Sequence, residues 1–177
     1  MSLGKWNKNA ARTAVAMIAT LLIGLAPSLM AQGKGKGPGV KVVATLYSTL
    51  GYENGELGWV GHSVVTIGDQ APVPAKYFCP MATPNFRPGG EMYGTETCIH
   101  TVGDGNTFTV LNRFTALPDS APNLYTMHTV STITKGTGRF ANASGQLIER
   151  AQFIFAPEFP VALPALGRSE GVIFGIQ

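Results

Sequence analysis

Few side chains in this chain combine a type and a spacing that could do chemistry. Glu149 is the ionisable group that alternation points most directly at an interior. In the segment 146–155, Leu147, Ala151, Phe153 and Phe155 alternate with Gln146, Arg150 and Gln152, so period 2 puts Glu149 on the apolar face. In the neighbouring segment 107–114, Phe108, Val110 and Phe114 share their face with Asn112, so a polar pair could meet inside. A carboxyl group desolvated in this way has a raised pKa and could orient a ligand or act as a general acid. The competing arrangement leaves Glu149 near the start of its strand, close to solvent and paired with Arg113 or Arg139. Glu149, Asn112, Phe108 and Phe153 are the candidate ligand-binding residues.

Cys98 and His100 also share a strand face, being two apart. A Cys–His nucleophile, or a soft metal site with Met81 or Met92, would need a free thiol. The chain has two cysteines, Cys79 and Cys98, and an even count in an exported chain reads as one disulfide. The enclosed loop holds Pro80, Pro84, Pro88, Gly89, Gly90 and Gly94, an irregular excursion that calls for a staple or a function. No metal site is therefore expected, and His100 is expected at the surface or core edge beside the bridge. His62 and His128 fall in segments with two mixed faces, where a structural histidine is the commoner role. Gly61-His62-Ser63-Val64-Val65 has part of a nucleophile-elbow pattern but lacks the second Gly and a strand-to-helix turn. Gly136, Gly138 and Ala141 fit G-x-G-x-x-A, yet a β-alternating segment follows where dinucleotide binding needs a helix. Asn142-Ala143-Ser144 fits a glycosylation sequon made of ordinary turn formers.

The elements that must position these residues lie downstream of an address. Lys5, Lys8 and Arg12 precede an apolar run from Ala14 to Ala26, too short to span a membrane and suited to a signal-peptide core. Cleavage is expected after Ala31, with Ser28 as the rival point, giving a secreted or periplasmic protein. A Gly/Lys arm at 32–41 and a single domain at 42–177 follow. The chain carries 13 basic and 10 acidic residues, but from Val42 onward 7 basic face 10 acidic. The basic balance thus belongs to the address and the arm, and the domain lacks the basic stripe of a nucleic-acid binder.

From Val42 the apolar period is 2 and no helical period persists. Strands are expected at 42–50, 59–67, 73–79, 95–102, 107–114, 124–134, 146–155 and 171–176, with Asn54-Gly55 and the turn 103–106 between neighbours. Leu117 to Pro122 reads as loop, and Pro157, Pro160 and Pro164 as a linker before the last strand. About eight short strands without helices argue an antiparallel sandwich or barrel. A membrane-spanning barrel is the structural rival, for which strands near eight residues are short.

The turn Gly136-Thr137-Gly138-Arg139-Phe140-Ala141-Asn142-Ala143-Ser144-Gly145, with its flanking strands, resembles the G-G-T-G-x-F-x-x-A-x-G turn of allene oxide cyclase-like and dirigent-like secreted β-barrels. Lys135 stands where the first Gly would be, and Ser144 where a small residue precedes the closing Gly. The likeness covers roughly the last 70 residues. It implies an all-β, antiparallel eight-stranded barrel around a small cavity. It also implies a binding scaffold for a small, mostly apolar molecule or a cofactor-free isomerase or cyclase. The polar active-site residues of those families do not match here position by position, so the enzymatic implication is by analogy. A filled barrel would mean a structural protein, an apolar cavity a binder, and a cavity with convergent buried polar groups an enzyme. Neither cofactor, nucleic acid nor stable membrane anchor is expected, and oligomeric state is left open.

Overall fold

The computed structural model describes residues 37–103, 105–155 and 164–177. The expected signal peptide, its cleavage points, most of the Gly/Lys arm, Pro157 and Pro160 lie outside them.

Among the described residues nine antiparallel strands follow one another: β1 (Val40–Glu53), β2 (Glu56–Ile67), β3 (Val73–Pro80), β4 (Asn85–Phe86), β5 (Met92–Val102), β6 (Asn106–Pro118), β7 (Leu124–Gly136), β8 (Ser144–Ile154) and β9 (Ala165–Phe174). Their order is β3-β2-β1-β9-β8-β7-β6-β5-β4, and a β3–β5 pairing closes eight of them into a barrel. Local chemistry accounts for the tightest connection. Asn54 and Gly55 both adopt positive φ (51° and 83°) between the paired Glu53 and Glu56. That is the backbone a two-residue hairpin needs to match strand twist.

Closure rests on a short seam. Ala75–Phe78 pair with Ile99–Val102, and one step further Cys79 and Cys98 are disulfide-bonded with Cα atoms 4.2 Å apart. The bridge extends the seam and ties down the excursion 81–91, as the cysteine count implied.

The alternating inward residues form three layers. At one end Val42, Ile67, Val102, Phe108, Ile133 and Ile173 pack around Phe140, which has no exposed surface. The resemblance-bearing turn supplies that Phe140: its 3-10 turn Gly138–Phe140 folds across the barrel end. Thr107 N–H donates to Thr137 Oγ1 (2.9 Å), Thr137 N–H to the Thr107 carbonyl (2.8 Å), and Gln177 N–H to the Arg139 carbonyl (3.0 Å). Gly138 has φ +52°, and a Cβ there would collide with the Asn106 carboxamide, so glycine is required. At the other end Met92, Ala116, Phe153 and Ala165 form a second apolar cluster. Between them lie Ser48, Ser63, Asn112, Thr129, Ser131 and Ser169, all buried.

Several boundaries differ from the sequence reading. β1 begins at Val40, inside the segment read as arm, because Val40 and Lys41 pair with Ile173 and Val172. β9 begins at Ala165 rather than 171. Its Gly167 and Gly171 looked like breakers, but they sit where β8 approaches too closely for a side chain: a Cβ at Gly171 would meet the Gln146 carbonyl. β6 runs on through Leu117 and Pro118, paired with Thr126 and Tyr125, and the excursion contains the two-residue β4 on β5.

Candidate functional site

The barrel holds a partly open cavity of about 230 Å³, bordered by the second apolar cluster and by the excursion 81–91. Toward the second cluster its wall is aromatic and aliphatic. Trp59 meets Phe153 edge-on (6.0 Å between ring centres), and Met92, Ala116, Met127 and Ala165 complete this part. The pinned excursion adds Met81, Pro84 and Phe86.

The wall at the inner end, toward Phe108 and Phe140, is polar, and its residues come from all round the barrel. Ser48 from β1, Tyr77 from β3, Glu96 and His100 from β5, Asn112 from β6 and Glu149 from β8 all line the cavity. Register brings them together: Tyr77 pairs with His100 and Glu96 with Asn112. Tyr77 reaches across because Gly61, its partner on β2, has no side chain, and a Cβ there would occupy the Tyr77 ring. His100 lies stacked between Tyr77 (5.2 Å) and Phe108 (4.7 Å, interplanar 1°), and Phe108 rests on Phe140 (5.2 Å).

Asn112 Nδ2 donates to Glu96 Oε1 (3.2 Å) and approaches Cys98 Sγ at 3.1 Å. Glu96 Oε1 is 3.8 Å from the same sulfur. A disulfide sulfur has no hydrogen, so that contact is a hydrogen bond only when Glu96 carries the proton. Asn112 Oδ1 is buried without a hydrogen-bond partner among the described residues.

Burial pushes the Glu149 carboxyl up to about 7, and the nearby Glu96 adds to the rise. Glu96 is raised by burial and partly held down by the Asn112 hydrogen bond. Burial also raises the Tyr77 phenol far above its ordinary value, with a hydrogen bond from Ser48 opposing and Glu149 and Glu96 reinforcing. Burial lowers His100 to about 4, so its imidazole is neutral near pH 7. These four side chains are half-buried by surface, since each borders the cavity, yet protein surrounds them. The lining therefore offers neutral donors, a Glu149 carboxyl poised near neutrality and a second, raised carboxyl in Glu96, with no Lys or Arg among the described residues.

Of the residues singled out from sequence, Glu149, Asn112 and Phe153 line the cavity. Glu149 makes no ion pair with Arg113 or Arg139 among the described residues. Phe108 lies beneath the cavity, drawn down by Phe140 and by the bulge at Thr109/Val110. His100, expected at the surface or core edge, is inside, because Cys98 faces inward and period 2 carries His100 with it. His62 and His128 are exposed on the outer wall. Ser63 points inward while its neighbour His62 points out, so the two cannot form a nucleophile and base. Glu96 and Tyr77 went unnoticed in the sequence, although each is two residues from a bridged cysteine. That spacing was the available signal.

Cys79, Glu96 and Cys98 place possible ligand atoms within 4.8 Å of one another, but both sulfurs are committed to the disulfide and offer no thiolate. No known family profile, curated protein or solved structure matches this chain.

Proposed function

We propose that this barrel is an exported scaffold that binds one small, mostly apolar molecule in its lumen. The observation that carries the reading is the cavity of about 230 Å³, apolar at one side and polar at the other, where a structural barrel would be filled. Export is supported by the basic-then-apolar N-terminus and by the disulfide, which persists in oxidising compartments. Lys76, Arg113, Arg150 and Arg168 on the outer wall interrupt any lipid-facing apolar band, which favours a barrel in water.

A second reading has a specific observation behind it. Glu149 and Glu96 converge on the cavity with raised pKa values, which suits a carboxyl group that passes a proton to a bound substrate, and Tyr77 stays protonated as a hydrogen-bond donor beside them. In that reading the barrel is a cofactor-free isomerase or cyclase, with the apolar wall fixing substrate conformation and the carboxyl groups moving a proton.

The test of lumen binding uses toluene as probe and Trp59, the sole tryptophan after residue 31, as reporter. Toluene is expected to shift Trp59 emission, and Ala151→Phe, which fills the cavity from β8, to abolish the shift while the protein stays folded. A shift that survives Ala151→Phe would place the probe elsewhere and overturn the reading.

A further inference from the structure

Given a lumen that binds a small molecule, as proposed above, the charge of its polar wall decides what that molecule carries. Among the described residues the lining contains two carboxyl groups, Glu96 and Glu149, and no Lys or Arg to balance them. Asn112, 5 % exposed and part of the same wall, spends its amide nitrogen on Glu96 and the disulfide and leaves its oxygen without a partner among the described residues. Acceptors therefore outnumber fixed donors on this wall, and the Coulombic field in the cavity is negative whenever a carboxyl group is ionised. Burial makes an unpaired charge costly, so a ligand that brings a positive charge relieves the site while one that brings a negative charge aggravates it. The opposite wall has the aromatic faces that pack against a ring. The volume also limits the ligand: a 150 Å³ apolar cavity holds benzene, so about 230 Å³ holds one ring with a short arm.

We propose that the lumen is a site for a small aromatic or aliphatic amine, bound as its ammonium ion, with the ammonium against Glu96, Glu149 and Asn112 and the apolar body against Trp59 and Phe153. The titratable groups facing the site are Tyr77 from β3, Glu96 and His100 from β5 and Glu149 from β8. The lining residues of β1, β2, β6, β7 and β9 contribute no ionisable group. Tyr77 and His100 are neutral near pH 7, which leaves the two carboxyl groups to set the pH dependence. Ammonium binding favours their ionised forms. Affinity should therefore rise with pH between about 5 and 8, and at pH 6 binding should release protons.

The experiment compares 2-phenylethylamine, 2-phenylethanol and 3-phenylpropanoate by calorimetry on the full mature protein at pH 5, 6, 7 and 8, in buffers of different ionisation enthalpy. The expected result is amine binding at least tenfold tighter than alcohol at pH 8, strengthening with pH and releasing protons at pH 6, with the carboxylate weakest. Glu149→Gln and Glu96→Gln should each lower amine affinity about tenfold while leaving the alcohol, which also reports folding, nearly unchanged. Alcohol or carboxylate binding as tightly as the amine, or an amine affinity that does not change with pH, would overturn the inference in the wild-type protein alone. Toluene binding with no preference for the amine would leave the lumen reading intact and sink this one. If neither toluene nor any of the three probes binds, the lumen reading itself fails and the inference falls with it.

Discussion

Glu149 and His100 bias stability in opposite directions over overlapping pH ranges. Glu149 rises from about 4.5 to about 7 on folding, so between those values the folded chain holds more proton than the unfolded one, and stability falls as pH rises. His100 drops from 6.5 to about 4, so between those values the folded chain holds less proton, and stability rises with pH. Each contributes a slope of up to about 1.4 kcal/mol per pH unit, and between pH 4.5 and 6.5 the two largely cancel. Glu96, also raised, tips the balance slightly downward. Urea midpoints with the disulfide intact should change little from pH 5 to 6.5 in the wild type. Glu149→Gln should make them climb with pH, and His100→Gln should make them fall. Parallel slopes in all three proteins would refute the burial of both groups.

At the level of elements, the resemblance-bearing turn matters for its contents rather than for a ligand. Its Phe140 is the keystone of the closed end, and Phe140→Ala should cost about 3–5 kcal/mol by opening a cavity under Phe108. Since His100 rests on Phe108, the same change should also raise the His100 pKa toward 6.5 as water enters, which a histidine NMR titration would read. The excursion 81–91 depends on a different support. Its disulfide closes a loop of sequence separation 19, worth about 3 kcal/mol in the loop-entropy account. Replacing Cys79 and Cys98 together by Ala should lower stability by that order in a denaturant series, and a loss below about 1 kcal/mol would show that the seam holds without its staple.

For the whole molecule, closure is the weak point of an otherwise continuous sheet. The other neighbouring strands of the eight-stranded barrel pair over eight or more positions, but β3 and β5 pair over Ala75–Phe78 and Ile99–Val102. Reduction should therefore open the barrel there first. Hydrogen exchange after reduction is expected to accelerate in β3 and in 99–102 while β1, β8 and β9 keep their protection. Uniform acceleration across all strands would mean that the barrel opens only by global unfolding.

Local patterning carried much of this from the residues alone. Alternation reported the strands and the inward face of Glu149, because side-chain period is a property of each strand by itself. Asn54-Gly55 announced a hairpin through backbone sterics, and the even cysteine count announced the bridge. The strand ends at Val40, Ala165 and Pro118 were not legible, since Gly and Pro look like breakers until a neighbouring strand shows why they are tolerated. Convergence was not legible either. Tyr77, Glu96, Asn112 and Glu149 come from four strands spread over more than seventy positions of the chain, and only closure of the barrel, with β3 on β5, turns them toward one cavity. Whether the lumen is filled or open was likewise a tertiary decision. It depends on how Phe108 and Phe140 share one end of the barrel, and packing of that kind has no period for a sequence to display.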